Sequence, residues 1–223
     1  MPYLVCAEEL EGKWVAHVPD LPGCFNSHKE RETAISGVPK AVDRYVEWAN
    51  NHGLRISGLS GPMIVAEVAR SWIYEQDYEV NAFFASDRPP LAESEVQELE
   101  TILRASRQDL ETELEQISDE AATTELPGER WSVMGLLDHV ATAEQWYCDR
   151  LGLALATSEL PADPRARLVK VRDHTLASLP ALAGRRGVVT LSGETWTARK
   201  VMRRTLWHER EHTKDIRELK LRL

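Results

Sequence analysis

The chain has 223 residues, 43% of them hydrophobic and 28% charged, which is typical of a globular protein long enough for two domains. Its formal net charge of −9 argues against broad binding to nucleic acid through the phosphates. No apolar run approaches the ~20 residues that span a bilayer, so we expect neither a nucleic acid nor a membrane as a partner.

Residues 1–88 are predicted to form a small α+β domain. Alternating apolar and polar residues in "PYLVCAEELEGKWVAH" predict a β-hairpin that turns at Glu11-Gly12. A helix is predicted over "TAISGVPKAVDRYVEWANNHG", with Pro39 in its first turn and Gly53 at its end. Two further strand-like runs, "MIVAEVARSWIY" and "YEVNAFFASD", complete the predicted domain.

Residues 89–223 change to a helical period after a proline-containing linker at residues 86–94. The apolar spacing from Val96 to Ile117 predicts a long amphipathic helix, and Ser94 and Gln97 have the spacing of a capping box.

Three more helices are predicted downstream. Ser132 is a good N-cap for a helix that ends near Gly152, and another helix is predicted from about Pro164 to Leu179. "GRRGVVTLSGETW" has little helical character, and Thr197 then caps a last helix. Four helices of this length predict an all-α four-helix bundle over residues 89–223.

Two histidines, His208 and His212, stand four residues apart on the apolar stripe of the last helix. This spacing stacks two imidazoles one turn apart. His139 shares a face with apolar residues of the second helix of the bundle, so it also points toward the predicted core. Three histidines in one interior predict a divalent-metal site with an open fourth position. The expected ion is zinc or nickel, and iron or manganese are the alternatives.

A different interpretation stays open for these residues. A buried histidine can be satisfied by a carbonyl or a carboxylate, so the metal could be structural or absent. His174 lies beside Asp173 and is expected at the surface or next to a ligand rather than as a ligand. The other histidines are expected to be structural or exposed: His17, His28 and His52.

No catalytic residue is predicted from the sequence. Glu144 and Glu209 could act as a base or support a ligand, but neither lies cleanly on the histidine face. The start of the last helix carries a basic cluster, which is either a solvated face or a device that steers an anionic substrate. Its members are Arg199, Lys200, Arg203 and Arg204.

Two segments, "WSVMGLLDHVATAEQWY" and "WTARKVMRRTLWHEREH", resemble the DinB superfamily, which includes the bacillithiol- and mycothiol-dependent transferases. The resemblance implies a bundle that binds a divalent metal through His139, His208 and His212, and often a homodimer. Its implied chemistry is activation of a low-molecular-weight thiol, or of water, toward a small electrophile. We therefore expect a thiol-dependent S-transferase or a hydrolase. The alternative is a non-catalytic protein-binding module with a structural or vestigial metal site.

The segment "WVAHVPDLPGC" (residues 14–24), followed by Ala34, Ala41 and Tyr45, resembles HicB-type domains. This resemblance implies a small, partial ribonuclease-H-like α+β fold for residues 1–88. No ribbon-helix-helix or helix-turn-helix segment follows, so only the fold is carried over and the domain is treated as accessory.

The three cysteines, Cys6, Cys24 and Cys148, are far apart and form no CxxC pair. The opening "MPYLVCAEELEGKW" has no basic segment followed by an apolar one, as a secretory signal would have. Together these features predict reduced thiols and a cytoplasmic protein.

Overall fold

The computed structural model describes residues 2–54, 56, 59, 61–75 and 78–223. They form two compact units: the first runs to Pro90 and takes in Arg186–Arg203, and the second comprises Leu91–Arg185 and Arg204–Leu223. An N-terminal α+β region and a C-terminal helical region confirm the predicted fold class. Within these described ranges, no helix combines the length and the apolar composition needed to cross a membrane.

The first unit is built on a sheet. Its strands are β1 (Tyr3–Leu10), β2 (Lys13–His17), β3 (Phe25–His28), β4 (Met63–Arg70), β5 (Trp72–Tyr74), β6 (Tyr78–Val80), β7 (Val189–Leu191) and β8 (Glu194–Trp196). Its helices are α1 (Arg31–Ser36) and α2 (Val38–Asn51). Four strands form a sheet in the order β3-β2-β1-β4, in which β1 pairs antiparallel with β2 and parallel with β4. The pairs β5-β6 and β7-β8 are separate hairpins.

The predicted hairpin turn is confirmed. Leu10 pairs with Lys13, so the turn has two residues, Glu11 and Gly12. Both have a positive φ, 49° and 74°, and such a turn matches the twist of the flanking strands. The predicted helix that follows is interrupted at Gly37 and becomes α1 and α2, with Pro39 in the first turn of α2 as expected.

Two members of the basic cluster, Lys200 and Arg203, are buried in ion pairs of the first unit. The Lys200 ammonium is fully buried and donates to Glu194 Oε1 at 2.6 Å. The Arg203 guanidinium donates to Asp87 and to Glu8 at 2.8–3.0 Å. A buried charge requires such partners, so both expectations for these side chains were wrong.

The second unit is helical. Its helices are α3 (Glu93–Leu114), α4 (Asp119–Thr123), α5 (Val133–Asp149), α6 (Pro164–Ser178) and the part of α7 (Ala198–Lys220) from Arg204 onward. The side chains of its apolar core include Leu110, Leu137, Val140, Leu168 and Ile216, which come from all four long helices. These burial positions follow the helical period of the sequence.

The helix starts were predicted with mixed success. Ser132 Oγ accepts from the Gly135 N–H at 3.2 Å, which confirms the N-cap of α5. The cap of α3 lies two residues before the expected one, and it is only half of a capping box because the Ala92 side chain has no acceptor atom. The Ala92 N–H donates to Glu95 Oε2 at 2.8 Å, so Ser94 and Gln97 have no such role.

Candidate metal centre

Helices α5 and α7 bring the three candidate histidines together. His139 Nε2 and His208 Nε2 are 3.1 Å apart, and one ligand atom from each histidine lies within 4.8 Å of the others. Among the described residues, this is the only group of three or more histidine, cysteine or acidic side chains with metal-binding spacing. Nitrogens around a tetrahedral zinc ion lie roughly 3.3 Å apart, given Zn–N bonds near 2.0–2.1 Å. The donor set and its spacing therefore fit a small divalent cation.

Asp215, one turn after His212, orients that histidine. Asp215 Oδ2 lies 2.8 Å from His212 Nδ1, and the His212 side chain is only 12% exposed. When the proton is on Nδ1, this N–H donates to the carboxylate and leaves the lone pair of Nε2 available to a metal. A carboxylate behind a histidine is a common support for metal ligands, and sequence reasoning missed this one. The spacing of three residues between His212 and Asp215 was the available signal.

Trp131 forms one wall of the centre. Its ring stacks on His139 with a centroid separation of 4.4 Å and an interplanar angle of 21°. It also presents an edge to His212, at 6.4 Å. The ring restricts the orientation of His139 and removes water from one side of the cluster. Trp131 therefore contacts two of the three candidate ligands.

His139 is neutral at physiological pH. Burial lowers the pKa of this residue to about 4, and the nearby His212 and Arg130 contribute in the same direction. A neutral imidazole is the form that coordinates metals, so no proton has to leave His139 before an ion binds.

A buried ion-pair quartet lies in the core of the same helices, with one residue from each of the four long ones. Its members are Arg107 (α3), Glu144 (α5), Arg172 (α6) and Glu209 (α7), and every side chain is at most 6% exposed. Glu209 Oε2 accepts from Arg107 Nε at 2.8 Å and from Arg172 Nη2 at 2.9 Å. Glu144 accepts from Arg172 at 2.8 and 2.9 Å.

The arginines of the quartet determine the charge state of Glu144. Burial by itself raises the pKa of Glu144, but the guanidinium groups of Arg172 and Arg107 reverse this and hold the pKa below its usual range. Glu144 is therefore ionised, and its carboxylate oxygens accept hydrogen bonds from Arg107 and Arg172. Glu209 follows His208 in the chain, so its bonds to Arg107 and Arg172 fix the turn of α7 that carries the histidine.

A cleft opens beside the histidines. We call it the Trp131 cleft; it has a volume of about 340 Å³, and its lining includes Trp131, Leu136, Asp215 and Leu219. Two of these residues contact the cluster directly, since Trp131 stacks on His139 and Asp215 binds His212. The cleft thus borders the side chains that support His139 and His212, and none of the three histidines is among its lining residues.

The remaining histidines have other partners. His174 Nε2 lies 2.6 Å from the Leu153 carbonyl oxygen, and His17 is buried with Nε2 at 2.9 Å from Glu8 Oε1. Asp138, although it adjoins His139, accepts from Arg167 Nη1 at 2.5 Å. None of these side chains belongs to the three-histidine group.

Comparison with known proteins gave two matches. A sequence profile of the DinB superfamily matches residues 102–216, slightly more than half of the chain. A 53-residue stretch is 30% identical to the UPF0150 protein Ta0767 of Thermoplasma acidophilum and covers 24% of this chain and 77% of that protein. This stretch lies in the N-terminal region and is consistent with a HicB-like domain. No solved structure matches the chain. Because the profile match includes all three clustered histidines, the chain belongs to the DinB superfamily.

Proposed function

We propose that this protein is a divalent-metal-dependent enzyme of the thiol-dependent S-transferase or hydrolase type. His139, His208 and His212 would hold the ion, with zinc or nickel as the expected metal and iron or manganese as alternatives. Residues 1–88 would be an accessory HicB-like domain, and residues 89–223 the metal-binding bundle. The proposed partners are a low-molecular-weight thiol and a small electrophile, and the proposed assembly is a homodimer.

One observation carries the proposal: three imidazole donors converge, and no fourth donor joins them among the described residues. A structural zinc site has a closed shell of four protein ligands, whereas a catalytic site leaves a position open. The family membership supports the presence of a metal, since a divalent metal is common in the superfamily.

The protein's own residues would do the following. Asp215 accepts from His212 Nδ1 and keeps Nε2 directed at the ion. Trp131 keeps water from one side of His139, and the quartet fixes the His208 turn of α7. When bound, a divalent ion supplies Lewis acidity that makes a thiol or a water molecule a stronger acid near neutral pH.

Activity assays test the proposal directly. The full chain, loaded with zinc, is mixed with 1-chloro-2,4-dinitrobenzene and a thiol panel of cysteine, glutathione and bacillithiol, and separately with 4-nitrophenyl acetate. We expect turnover with at least one thiol or with the ester, and we expect it to fall to the uncatalysed rate in His208→Ala. The matched control is His174→Ala, which removes a histidine outside the cluster. Absence of metal-dependent turnover in every assay would contradict the proposal.

Asp215 offers a separate test of the metal site. We expect Asp215→Asn to weaken zinc binding about 10- to 100-fold, because the amide cannot replace the charge that supports His212. Competition with a chromogenic chelator measures the affinity. Glu218→Gln is the matched control, since Glu218 lines the same cleft but pairs with Lys214 instead. An unchanged affinity in Asp215→Asn, or an equal loss in the control, would show that Asp215 does not position a ligand.

A second candidate function is a non-catalytic module that binds a partner protein. It is favoured by β4, which lies at the edge of the four-stranded sheet and exposes Ile64, Val65 and Val68. An exposed strand edge can add a strand from another chain. The two candidates differ in turnover, because the binding module would show none with any thiol or ester, even when it is loaded with metal.

A further inference from the structure

The last helix belongs to both compact units. Helix α7 runs without interruption from Ala198 to Lys220, its residues up to Arg203 belong to the first unit, and those from Arg204 belong to the second. His208 comes five residues after Arg203, which is less than two helical turns. A restraint on the start of α7 therefore acts on the same helix that carries the histidine.

Arg203 is held inside the first unit by two carboxylates. Its guanidinium group donates to the Asp87 carboxylate from Nε at 3.0 Å and from Nη2 at 2.9 Å, and it donates from Nη1 to Glu8 Oε1 at 2.8 Å. Both carboxylates are almost completely buried, with 1% and 0% of their residues exposed. A bidentate pair of this kind fixes orientation as well as distance. Moving Arg203 would separate a buried ion pair, which is strongly unfavourable.

Asp87 also binds the N-cap of the same helix. Thr197 Oγ1 accepts from the Lys200 N–H at 3.2 Å, and the Thr197 hydroxyl donates to the Asp87 carbonyl oxygen at 2.7 Å. Asp87 therefore contacts the start of α7 at two points, Thr197 and Arg203, which are six residues apart. Two such points fix the direction of a helix, whereas one would fix only its position.

We call these residues the α7 anchor; they are Glu8, Asp87, Thr197 and Arg203, and all of them belong to the first unit. Glu8 and Asp87 precede the stretch that matches the DinB superfamily, whereas Arg203 and His208 fall within it. The N-terminal region thus supplies the charges that hold the start of a helix from the superfamily's own sequence.

We propose that the first unit positions the metal centre through α7. Glu8 and Asp87 are positioning residues: they hold Arg203, and the continuous helix then holds the turn of His208 in place for the ion. The inference rests on the metal-binding part of the proposed function, and it gives the accessory domain a role in that function. Zinc affinity should therefore depend on two carboxylates that are outside the three-histidine group.

Asp87→Asn tests the α7 anchor without changing the sequence of α7. The amide preserves the shape of the side chain but removes its charge, so the bidentate ion pair with Arg203 is lost. The zinc affinity of the full chain is measured by chelator competition. We expect Asp87→Asn to weaken it about 5- to 10-fold, the lower end of the usual coupling between two sites. Glu8→Gln, which changes the other partner of Arg203, should weaken it as well.

Val42→Ala is the matched control, because Val42 is buried on α2 in the same unit and belongs neither to the α7 anchor nor to α7. It should destabilise the first unit through the loss of two buried methyl groups and leave the zinc affinity unchanged. An unchanged affinity in both Asp87→Asn and Glu8→Gln, or an equal loss in Val42→Ala, would overturn the proposal.

Hydrogen exchange of the metal-free chain gives a second measurement of the same role. The backbone amides of residues 205–212 should exchange about 5- to 10-fold faster in Asp87→Asn than in the wild-type protein, and those of α6 should not change. Equal exchange at residues 205–212 would show that Asp87 does not hold the His208 turn. Failure of the wild-type chain to take up zinc would instead overturn the proposed metal centre, while the exchange rates still decide the role of Asp87.

Discussion

His208→Ala is expected to lower zinc affinity by more than about 100-fold, since loss of a ligand exceeds the 10- to 100-fold cost of losing its outer-shell partner. His208 is the most central donor. It is buried, lies 3.1 Å from His139 Nε2, and its ring centroid is 4.4 Å from that of His212. Two imidazoles from different helices would remain, which is a poor shell for zinc. Chelator competition and metal analysis of the dialysed protein measure the loss.

His139→Ala tests whether α5 contributes to the same centre, and it should lower the affinity as strongly as His208→Ala. His174→Ala should leave the affinity unchanged, because its imidazole bonds to the Leu153 carbonyl oxygen. If the His174 variant lost as much metal as the other two, the zinc would be bound nonspecifically by surface histidines.

Glu144→Ala is expected to reduce the free energy of unfolding by about 3–5 kcal/mol, the range for breaking a buried ion pair by removing one partner. Glu144 accepts three hydrogen bonds from arginines, two from Arg172 and one from Arg107. Without it, the two guanidinium groups would share the single carboxylate of Glu209 inside the bundle. Urea unfolding followed by circular dichroism, with a probe for the helical unit, measures the change.

Glu100→Ala is the matched control for this experiment. Glu100 forms an exposed pair with Arg104 on α3, and its removal should cost less than about 1 kcal/mol. If the two variants were equally destabilised, the quartet would not be the structural centre of the bundle.

Ionised Glu144 is also expected to make the free energy of unfolding depend on pH in the acid range. The pKa of Glu144 in the folded protein is held below its usual range. Its contribution to the free energy of unfolding is therefore fully present at pH values above its unfolded-state pKa. It is lost as the pH falls through the lowered folded-state value. Stability of Glu144→Gln should therefore depend less on pH in this acid range than that of the wild-type chain. Equal slopes would assign the acid sensitivity to other carboxylates.

The three histidines could be placed from the sequence because their surroundings follow a helical period. His208 and His212 lie on the apolar stripe of α7, and His139 lies on that of α5, so burial of the neighbouring leucines and valines brings the imidazoles together. The structure brings all three into one group, whereas the identity of the bound ion stays a prediction.

The quartet could not be predicted by the same reasoning. Patterns of apolar residues assign arginine and glutamate to the surface. Arg107 and Arg172 can be buried because carboxylates from other helices pair with them. These carboxylates are Glu144 and Glu209. Such pairing depends on which helices are neighbours. The sequence of one helix does not contain that information, so the carboxylates appeared available for catalysis until the arginines were located.

Short strands were missed for another reason. The hairpin of β7 and β8 has only three residues in each strand, too few to establish an alternating pattern within "GRRGVVTLSGETW". Its two-residue turn, Ser192-Gly193, has positive φ at both positions and was the available signal.

Metal analysis of the wild-type chain, prepared without a tag or a nickel column, tests the central claim most directly. The protein is incubated with zinc, dialysed, and measured by inductively coupled plasma mass spectrometry beside His208→Ala. Our account predicts about one zinc ion per wild-type chain and almost none in the variant, as expected of a single three-histidine centre. A wild-type protein that retains no metal, or a variant that retains as much as the wild type, would contradict it.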